Sequence, residues 1–337
     1  MKLRKPAYFD TFRCIAAACP DSCCKEWDVL VDPDAAALYR TLPGELGDDL
    51  RKFLYEEEGR VFMAITQGRC PMWRQDGLCR IQAHLGHEAL CETCREFPRL
   101  THDYGDFVER GLELSCPEAA RIILSAPAAP LAETEIPGGE APEYDADAME
   151  VLLRTRENAR NLLQPGLPVG EALAALLLYG YQAQGELDGE AEVPFSPSEA
   201  LAGIRDFAKP GPLQEIPAFF LGLEILTEDW GRLLRNPHPG SWDGRTRALA
   251  RYLIERYWLQ AVSDYDLYCR VKFIVIFCLL VKILGGDPER TAQLASKEIE
   301  NNTENVEAVL DGAYAHGAFT DEKLLGLLLA RDEEETP

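Results

Sequence analysis

The chain has 337 residues, 47% hydrophobic and 27% charged, which is ordinary for a globular protein. Its formal net charge of −23 argues against a nucleic-acid partner, since such surfaces normally carry a basic stripe. The longest apolar run, residues 273–281, is far shorter than the roughly 20 residues that span a bilayer, and no secretory signal follows the basic N-terminus. We therefore expect a cytoplasmic protein with no membrane partner.

The first third of the chain predicts a small mixed α/β domain, residues 1–124. Alternating apolar residues, turn pairs such as Asp76–Gly77 and helix-starting prolines define its short elements. We predict strands at 28–32, 60–65 and 107–114, a hairpin around residues 70–82, and helices at 33–39, 50–58 and 84–97, with a further helix starting near Pro117.

Residues 125–147 are rich in Pro, Ala, Gly and acid and predict a linker. After it, apolar residues recur at three- and four-residue spacing, which predicts a helical body, residues 148–331, before an acidic tail, 332–337. The expected helices are 149–163, 170–182, 198–208, 216–232, 245–261, 264–284, 288–301, 304–315 and 320–330. The predicted fold is mainly α, with a small cysteine-rich α/β domain and a helical C-terminal body.

Nine of the eleven cysteines lie in the first 116 residues: Cys14, Cys19, Cys23, Cys24, Cys70, Cys79, Cys91, Cys94 and Cys116. Thiols at this density suit zinc, iron–sulfur clusters or copper, and a reducing compartment disfavours disulfides. Cys91-x2-Cys94 has the spacing of a zinc knuckle, whereas iron–sulfur clusters also use four thiolates, so spacing leaves both metals open. Cys269 and Cys278 lie in an apolar segment, and we expect both to be core residues.

Other chemistry is sparse in the sequence. It contains no G-x-G-x-x-G turn, phosphate loop or nucleophile elbow. Glu118 and Tyr257 are weak candidates for catalysis, and Trp27 and Arg99 for cofactor binding. Ion pairing, capping or packing explains each of the four at least as well.

Several rare elements then occur in one order. The run F-x-C-x4-C-x3-CC-x2-W at residues 12–27 is followed by Cys70–Pro71, by Leu78–Cys79 with Ile81–Gln82, by Thr93–Cys94 with Phe97–Pro98–Arg99, and by LSCPEAAR at 114–121. Over about residues 6–122 the chain resembles the flagellin lysine-N-methylase family, and less closely a broader group of cysteine-cluster proteins described as zinc- or iron-chelating.

The resemblance implies an enzyme that transfers methyl from S-adenosylmethionine (SAM) to lysine ε-amines of a protein such as flagellin, with a [4Fe–4S] cluster. The matching thiols are Cys14, Cys19, Cys23, Cys24, Cys70, Cys79, Cys94 and Cys116, and Cys91 stands outside the pattern as a reserve ligand. Eight thiols exceed one cluster's four, so some are structural or a second metal is present. The radical-SAM cysteine loop is absent, which leaves a polar and a radical mechanism open.

Three interpretations make different structural predictions. An enzyme requires a cavity between the cysteine domain and the helical body, large enough for SAM and a lysine side chain. A non-enzymatic zinc- or iron-binding module, serving structure, metal handling or electron transfer, predicts a closed metal site without a cavity. A helical protein with incidental cysteines predicts thiols dispersed in space.

Overall fold

The computed structural model describes residues 1–24 and 29–330, and every structural statement below refers to them. Within these ranges the fold is mainly α with a small mixed-sheet region, which confirms the predicted class.

A four-stranded sheet lies at the start of the chain. Its strands, in spatial order, are β5 (Arg99–Asp103), β6 (Phe107–Leu112), β1 (Lys2–Lys5) and β7 (Ala132–Glu135). Strand β1 runs parallel to β6 and antiparallel to β7, with Leu3 opposite Val108 and Thr134. The N-terminal segment is therefore inserted between strands that come about 100 residues later.

A second, antiparallel sheet belongs to a smaller unit that carries most of the thiols. Its spatial order is β2 (Val29–Val31), β4 (Arg60–Met63) and β3 (Leu54–Glu57). Four helices accompany it: α1 (Pro33–Thr41), α2 (Gly44–Phe53), α3 (Arg80–Leu85) and α4 (Glu92–Glu96). Tyr39, Leu50 and Met72 are almost fully buried in its core, and the Tyr39 hydroxyl donates to the carbonyl of Ala89 at 2.8 Å.

The remaining helices form the body of the protein. They are α5 (Pro117–Ser125), α6 (Ala146–Leu162), α7 (Val169–Leu187), α8 (Pro197–Gly203), α9 (Glu215–Leu221), α10 (Glu228–Arg235), α11 (Gly244–Tyr257), α12 (Leu267–Leu284), α13 (Pro288–Ile299), α14 (Thr303–Ala315) and α15 (Asp321–Leu329). Helix α12 lies at the centre of this body and is buried on nearly all sides, because α7, α11, α13 and α14 pack around it.

One large core joins the four-stranded sheet to this helical body. Phe12 and Leu114, from the cysteine region, belong to the same buried cluster as the core residues of α11 and α12. Across the junction, the Arg156 guanidinium donates two 2.7 Å hydrogen bonds to the Glu109 carboxylate. The large core therefore extends across residue 124, where we predict a domain boundary, and the domain division itself stays a prediction.

Several predicted elements have different boundaries in the structure. Strand β7 lies inside the segment that we expected to be a linker, because it finds a partner in β1. The helix predicted at 50–58 ends at Phe53, since residues 54–57 pair with β4 instead. The helix predicted at 84–97 is divided at Gly86, whose φ of 88° ends α3.

A second long helix, predicted at 216–232, is also divided in two. Helix α9 ends before Gly222, and Thr227 starts α10 by accepting a hydrogen bond from the Trp230 amide at 3.2 Å. No helix in the described part of the chain is both long and apolar enough to cross a lipid bilayer.

Candidate metal centre and adjoining cavity

The first four cysteines lie on an irregular segment between β1 and β2 that an ion pair ties to the helical body. The Asp21 carboxylate, 7% exposed, lies 3.2 Å from Nζ of Lys297, which is 2% exposed. The Gln293 amide donates to Asp21 at 3.3 Å and to the carbonyl of Ser115 at 2.7 Å. Helix α13 thereby holds the cysteine segment beside the residue that precedes Cys116.

Four thiols form a first group near the start of α5: Cys14, Cys19, Cys23 and Cys116. The pKa of Cys116 is raised to about 11, mainly by burial and to a smaller extent by charge on Cys19 and Cys14. Backbone N–H groups that donate to its sulfur act in the opposite direction. A hydrogen bond with Cys24, burial and the charges of Cys24, Cys14 and Cys116 raise the pKa of Cys23. These thiols are therefore near enough to repel one another electrostatically when ionised.

Five thiols form a second group in the smaller unit: Cys24, Cys70, Cys79, Cys91 and Cys94. The Cys70 amide donates to the carbonyl of Cys24 at 2.8 Å, and Cys79 pairs with Trp73 across the hairpin. Cys91 is buried in the small core, against which Cys70 and Cys79 also pack. The hairpin predicted around residues 70–82 therefore brings its two cysteines to one core.

Electrostatics links the members of this second group. The pKa of Cys70 is raised to about 12, mainly by burial and to a smaller extent by the charges of Cys24, Cys79 and Cys91. A hydrogen bond from Cys94 lowers the pKa of Cys91 and raises that of Cys94 itself. Cys91, which the sequence pattern leaves outside the ligand set, thus lies among the other four.

The adjacent residues Cys23 and Cys24 connect the two groups. A hydrogen bond from the Cys23 thiol lowers the pKa of Cys24 to about 7, so Cys24 is the more easily ionised of the two. Charges of both Cys24 and Cys23 also raise the pKa of Cys94. The nine N-terminal thiols therefore lie in two groups that adjoin at Cys23–Cys24, and no disulfide joins cysteines in the described residues.

The donor chemistry fits a soft metal, although no coordination shell is preformed. Nine sulfurs lie in two adjoining groups, and backbone amides donate to several of them, which is typical of ligated thiolates. A bound cation would offset the mutual repulsion that otherwise keeps such thiols protonated. Within residues 1–24 and 29–330, however, no three His, Cys, Asp or Glu side chains are yet arranged to hold an ion. Metal binding therefore stays a prediction.

The weak candidates that the structure describes have other side-chain contacts, although the backbone amide of Glu118 donates to the sulfur of Cys116. Glu118 pairs with Arg121 within α5 at 2.7 Å, and the Arg99 guanidinium lies 5.4 Å from the ring centre of Phe12. The Tyr257 hydroxyl is buried and donates to Glu300 at 2.8 Å. Trp27 lies outside the described residues. None of these contacts assigns a catalytic or cofactor-binding role.

The two remaining cysteines are core residues, as predicted. Cys269 and Cys278 are both buried in α12, and the Cys269 thiol donates to the carbonyl of Leu310 at 3.1 Å. Burial raises the pKa of both thiols, which keeps them protonated.

A charged cavity lies where the four-stranded sheet meets α11. It has about 410 Å³ of empty volume, mouth included, and is lined by Pro6, Tyr8, Leu100, His102, Glu109, Arg110, Gly111, Leu112, Leu131, Tyr252, Glu255 and Arg256. Leu114 lies two residues before Cys116, and its amide donates to the Tyr252 hydroxyl at 3.3 Å. The cavity therefore adjoins the first thiol group through a short backbone connection.

Burial gives this cavity perturbed acid–base groups. It raises the pKa of Glu255 to about 7, against the charges of Arg160 and Arg156, and lowers the pKa of His102. Sequence reasoning did not identify Tyr8, His102 or Glu255, because residues far apart in the chain meet here only after folding.

Comparison with known proteins assigns the chain to a family. It is 36% identical over 130 residues to lysine-N-methylases of Salmonella typhimurium and Salmonella choleraesuis, covering 36% of this chain and 32% of each relative. Over the same length it is 36% identical to the flagellar biosynthetic protein FliU of Salmonella muenchen, of which it covers 77%. The chain belongs to the lysine-N-methylase family.

The family relationship confirms the resemblance seen in the cysteine pattern. The chain spans about a third of the length of the two lysine-N-methylases that it matches, so the activity of this member is a matter for proposal. No protein-family model and no solved structure matches the chain.

Proposed function

We propose that this lysine-N-methylase relative is a SAM-dependent protein-lysine N-methyltransferase whose N-terminal thiols hold an iron–sulfur cluster. In a chain of this family, the observation that supports the proposal best is the charged cavity between the cysteine region and α11. A closed metal-binding module has no need of such a cavity. An enzyme that brings a lysine amine to a methyl donor requires one.

The groups around the cavity suit deprotonation of a lysine. The ammonium of a free lysine, with a pKa near 10.4, must lose a proton before the amine can attack a methyl group. The guanidinium groups of Arg251 and Arg256 disfavour a second positive charge nearby, and burial lowers an amine pKa further. Glu255, with its pKa raised to about 7, is placed to accept the proton.

Bound SAM would supply the activated methyl group on its sulfonium. The chain's part is to hold the donor and the amine in line and to exclude water, both of which the buried walls favour. Tyr8, Tyr252 and Glu255 form walls shared by this cavity and a second hollow on the other side of Tyr8.

Each thiol group has enough sulfurs for one four-thiolate site. The first offers Cys14, Cys19, Cys23 and Cys116, and the second adds Cys91 to Cys24, Cys70, Cys79 and Cys94. We propose a [4Fe–4S] cluster in one group, with zinc as the alternative metal. The substrate we propose is a lysine-bearing protein such as flagellin, which a chain of net charge −23 would attract in the cytoplasm.

Anaerobic purification followed by metal analysis and an absorption spectrum tests the cluster. Cys116→Ser and Cys79→Ser each remove a thiol from one group, so the variant that loses iron identifies the group that holds it. Cys278→Ser is the matched control and should retain all metal. A colourless protein with stoichiometric zinc would contradict the iron–sulfur assignment.

Transfer of labelled methyl from SAM to purified flagellin tests the activity. We expect label in methyl-lysine with the wild-type chain and loss of most of it with Glu255→Gln. Arg232→Met, on the exposed face of α10, should match the wild type. Loaded protein that binds metal but labels neither flagellin nor a lysine-rich peptide would favour the non-enzymatic module.

A further inference from the structure

Three buried donors face the charged cavity without a partner. Nε2 of His102, Nε of Arg110 and Nη1 of Arg256 have no hydrogen-bond partner among the described residues. All three side chains line the same cavity. Buried polar atoms are nearly always paired in proteins, so three unpaired atoms around one cavity, two from the sheet and one from α11, indicate a missing acceptor.

The two guanidinium groups are already held by other contacts. Arg110 donates from Nη2 to Glu96 at 3.0 Å, and its guanidinium lies 4.9 Å from the ring centre of Phe9. Nε of Arg256 lies 2.7 Å from the Glu300 carboxylate. The guanidinium groups are thus oriented by the protein, which leaves the unpaired nitrogens available to a ligand.

The character of the donors limits the ligand. Two are guanidinium nitrogens, which always donate, and the third belongs to a neutral imidazole that donates from Nε2 in one tautomer. Planar guanidinium groups recognise carboxylates well. The empty volume of about 410 Å³ includes the open mouth, so the cavity is smaller than the space for SAM and a lysine side chain that we expected, and its size suits the carboxylate end of a ligand.

We infer that this cavity binds the carboxylate of the amino-acid arm of SAM, an inference that rests on the proposed function. The donor's carboxylate then lies between His102, Arg110 and Arg256.

The neighbouring hollow is available for the lysine. It has about 480 Å³ of empty volume, and most of its wall is formed by Pro6, Ala7, Ile123, Ala126, Pro127, Ala129 and Ala248. It shares Tyr8, Tyr252 and Glu255 with the charged cavity. The four methylenes of a lysine suit the apolar wall, and its amine would meet Glu255 at the common boundary, where the C–S bond of the sulfonium breaks and the N–C bond forms.

Two product-like probes separate the arm from the nucleoside. S-adenosylhomocysteine retains the carboxylate, whereas 5′-methylthioadenosine lacks the amino-acid arm. Calorimetry on the full metal-loaded chain should show that the wild type binds the first at least about tenfold more tightly than the second. His102→Phe and Arg110→Met should each weaken S-adenosylhomocysteine binding about tenfold and leave 5′-methylthioadenosine unchanged.

Two controls address folding and ring volume. His102→Gln keeps a donor and should retain most of the affinity, whereas Arg232→Met removes a guanidinium far from the cavity and should change neither probe. Thermal melting of every variant shows whether lost binding comes from lost structure.

The possible failures are distinguishable. If the wild type methylates lysine but the variants bind both probes normally, or weaken both equally, the carboxylate site is overturned and the proposed function stands. If the loaded wild type binds neither probe and transfers no methyl, the proposed function falls together with the site.

Discussion

The buried pair Arg156–Glu109 gives a direct test of how the two parts of the chain are joined. It connects α6 of the helical body to β6 of the cysteine region through two 2.7 Å hydrogen bonds. The side chains are only 6% and 8% exposed. Arg156→Met removes the guanidinium while preserving most of the apolar volume, and it leaves the Glu109 carboxylate buried without its main partner.

Removing one partner of a buried ion pair costs about 3–5 kcal/mol, because the remaining charge is not solvated. Nη1 of Arg4 lies 3.9 Å from the Glu109 carboxylate and still offsets part of that charge. We therefore expect a loss near the lower limit, about 3 kcal/mol. The double variant Arg156→Met with Glu109→Gln should lose less, since no buried charge is then left unpaired.

Anaerobic urea unfolding of identically loaded proteins measures these free energies. The exposed pair Arg40–Glu56, at 3.5 Å, supplies the matched control, and Arg40→Met should change stability by less than about 1 kcal/mol. Circular dichroism of the helices and tryptophan fluorescence should report one common transition. A loss for Arg156→Met as small as that of the control, or a double variant less stable than the single one, would refute the reasoning.

Three further predictions concern the site. Asp21→Asn should weaken the attachment of the cysteine segment to Lys297 and lower the metal retained on dilution, measured as bound iron per chain; unchanged retention would contradict that role. Cys24→Ala, at the connection between the two thiol groups, should lose metal whereas Cys278→Ala should lower only the melting temperature, and equal metal loss in both would show that the thiols are wrongly divided. Because burial raises the pKa of Glu255 to about 7, the fraction able to accept a proton increases from pH 6 to 8, so methyl transfer should rise through that window; a rise of the same shape in Glu255→Gln would exclude Glu255 as its source.

The arrangement of the thiols bears on how a metal could be bound. Burial and the charge of neighbouring thiols raise the pKa values of Cys70 and Cys116, and hydrogen bonds with Cys24 and Cys91 raise those of Cys23 and Cys94. Such a set is stable when protonated or when a cation compensates it. Metal loading should therefore stabilise residues 1–116 more than the helical body, and hydrogen exchange measured with and without metal can detect that difference.

Local patterns were enough to predict most helices of the body. Periodic apolar residues and capping residues act within a few positions, so α6, α7, α12, α13 and α14 occur close to where they were expected. Short strands were harder to predict. Strands β1, β5 and β7 exist because distant segments supply hydrogen-bond partners, and a pairing between Leu3 and Thr134 leaves no local trace.

By itself, the sequence determined the mainly α class, the family and the concentration of thiols in the first third of the chain, because composition, spacing and helical period are properties of neighbouring residues. Only the tertiary structure decided that Cys91 joins the second thiol group and that His102, Arg110 and Arg256 line one cavity. The physical reason is that burial and charge proximity depend on which distant segments pack together. The unpaired donors of the cavity and the raised pKa of Glu255 arise from that packing.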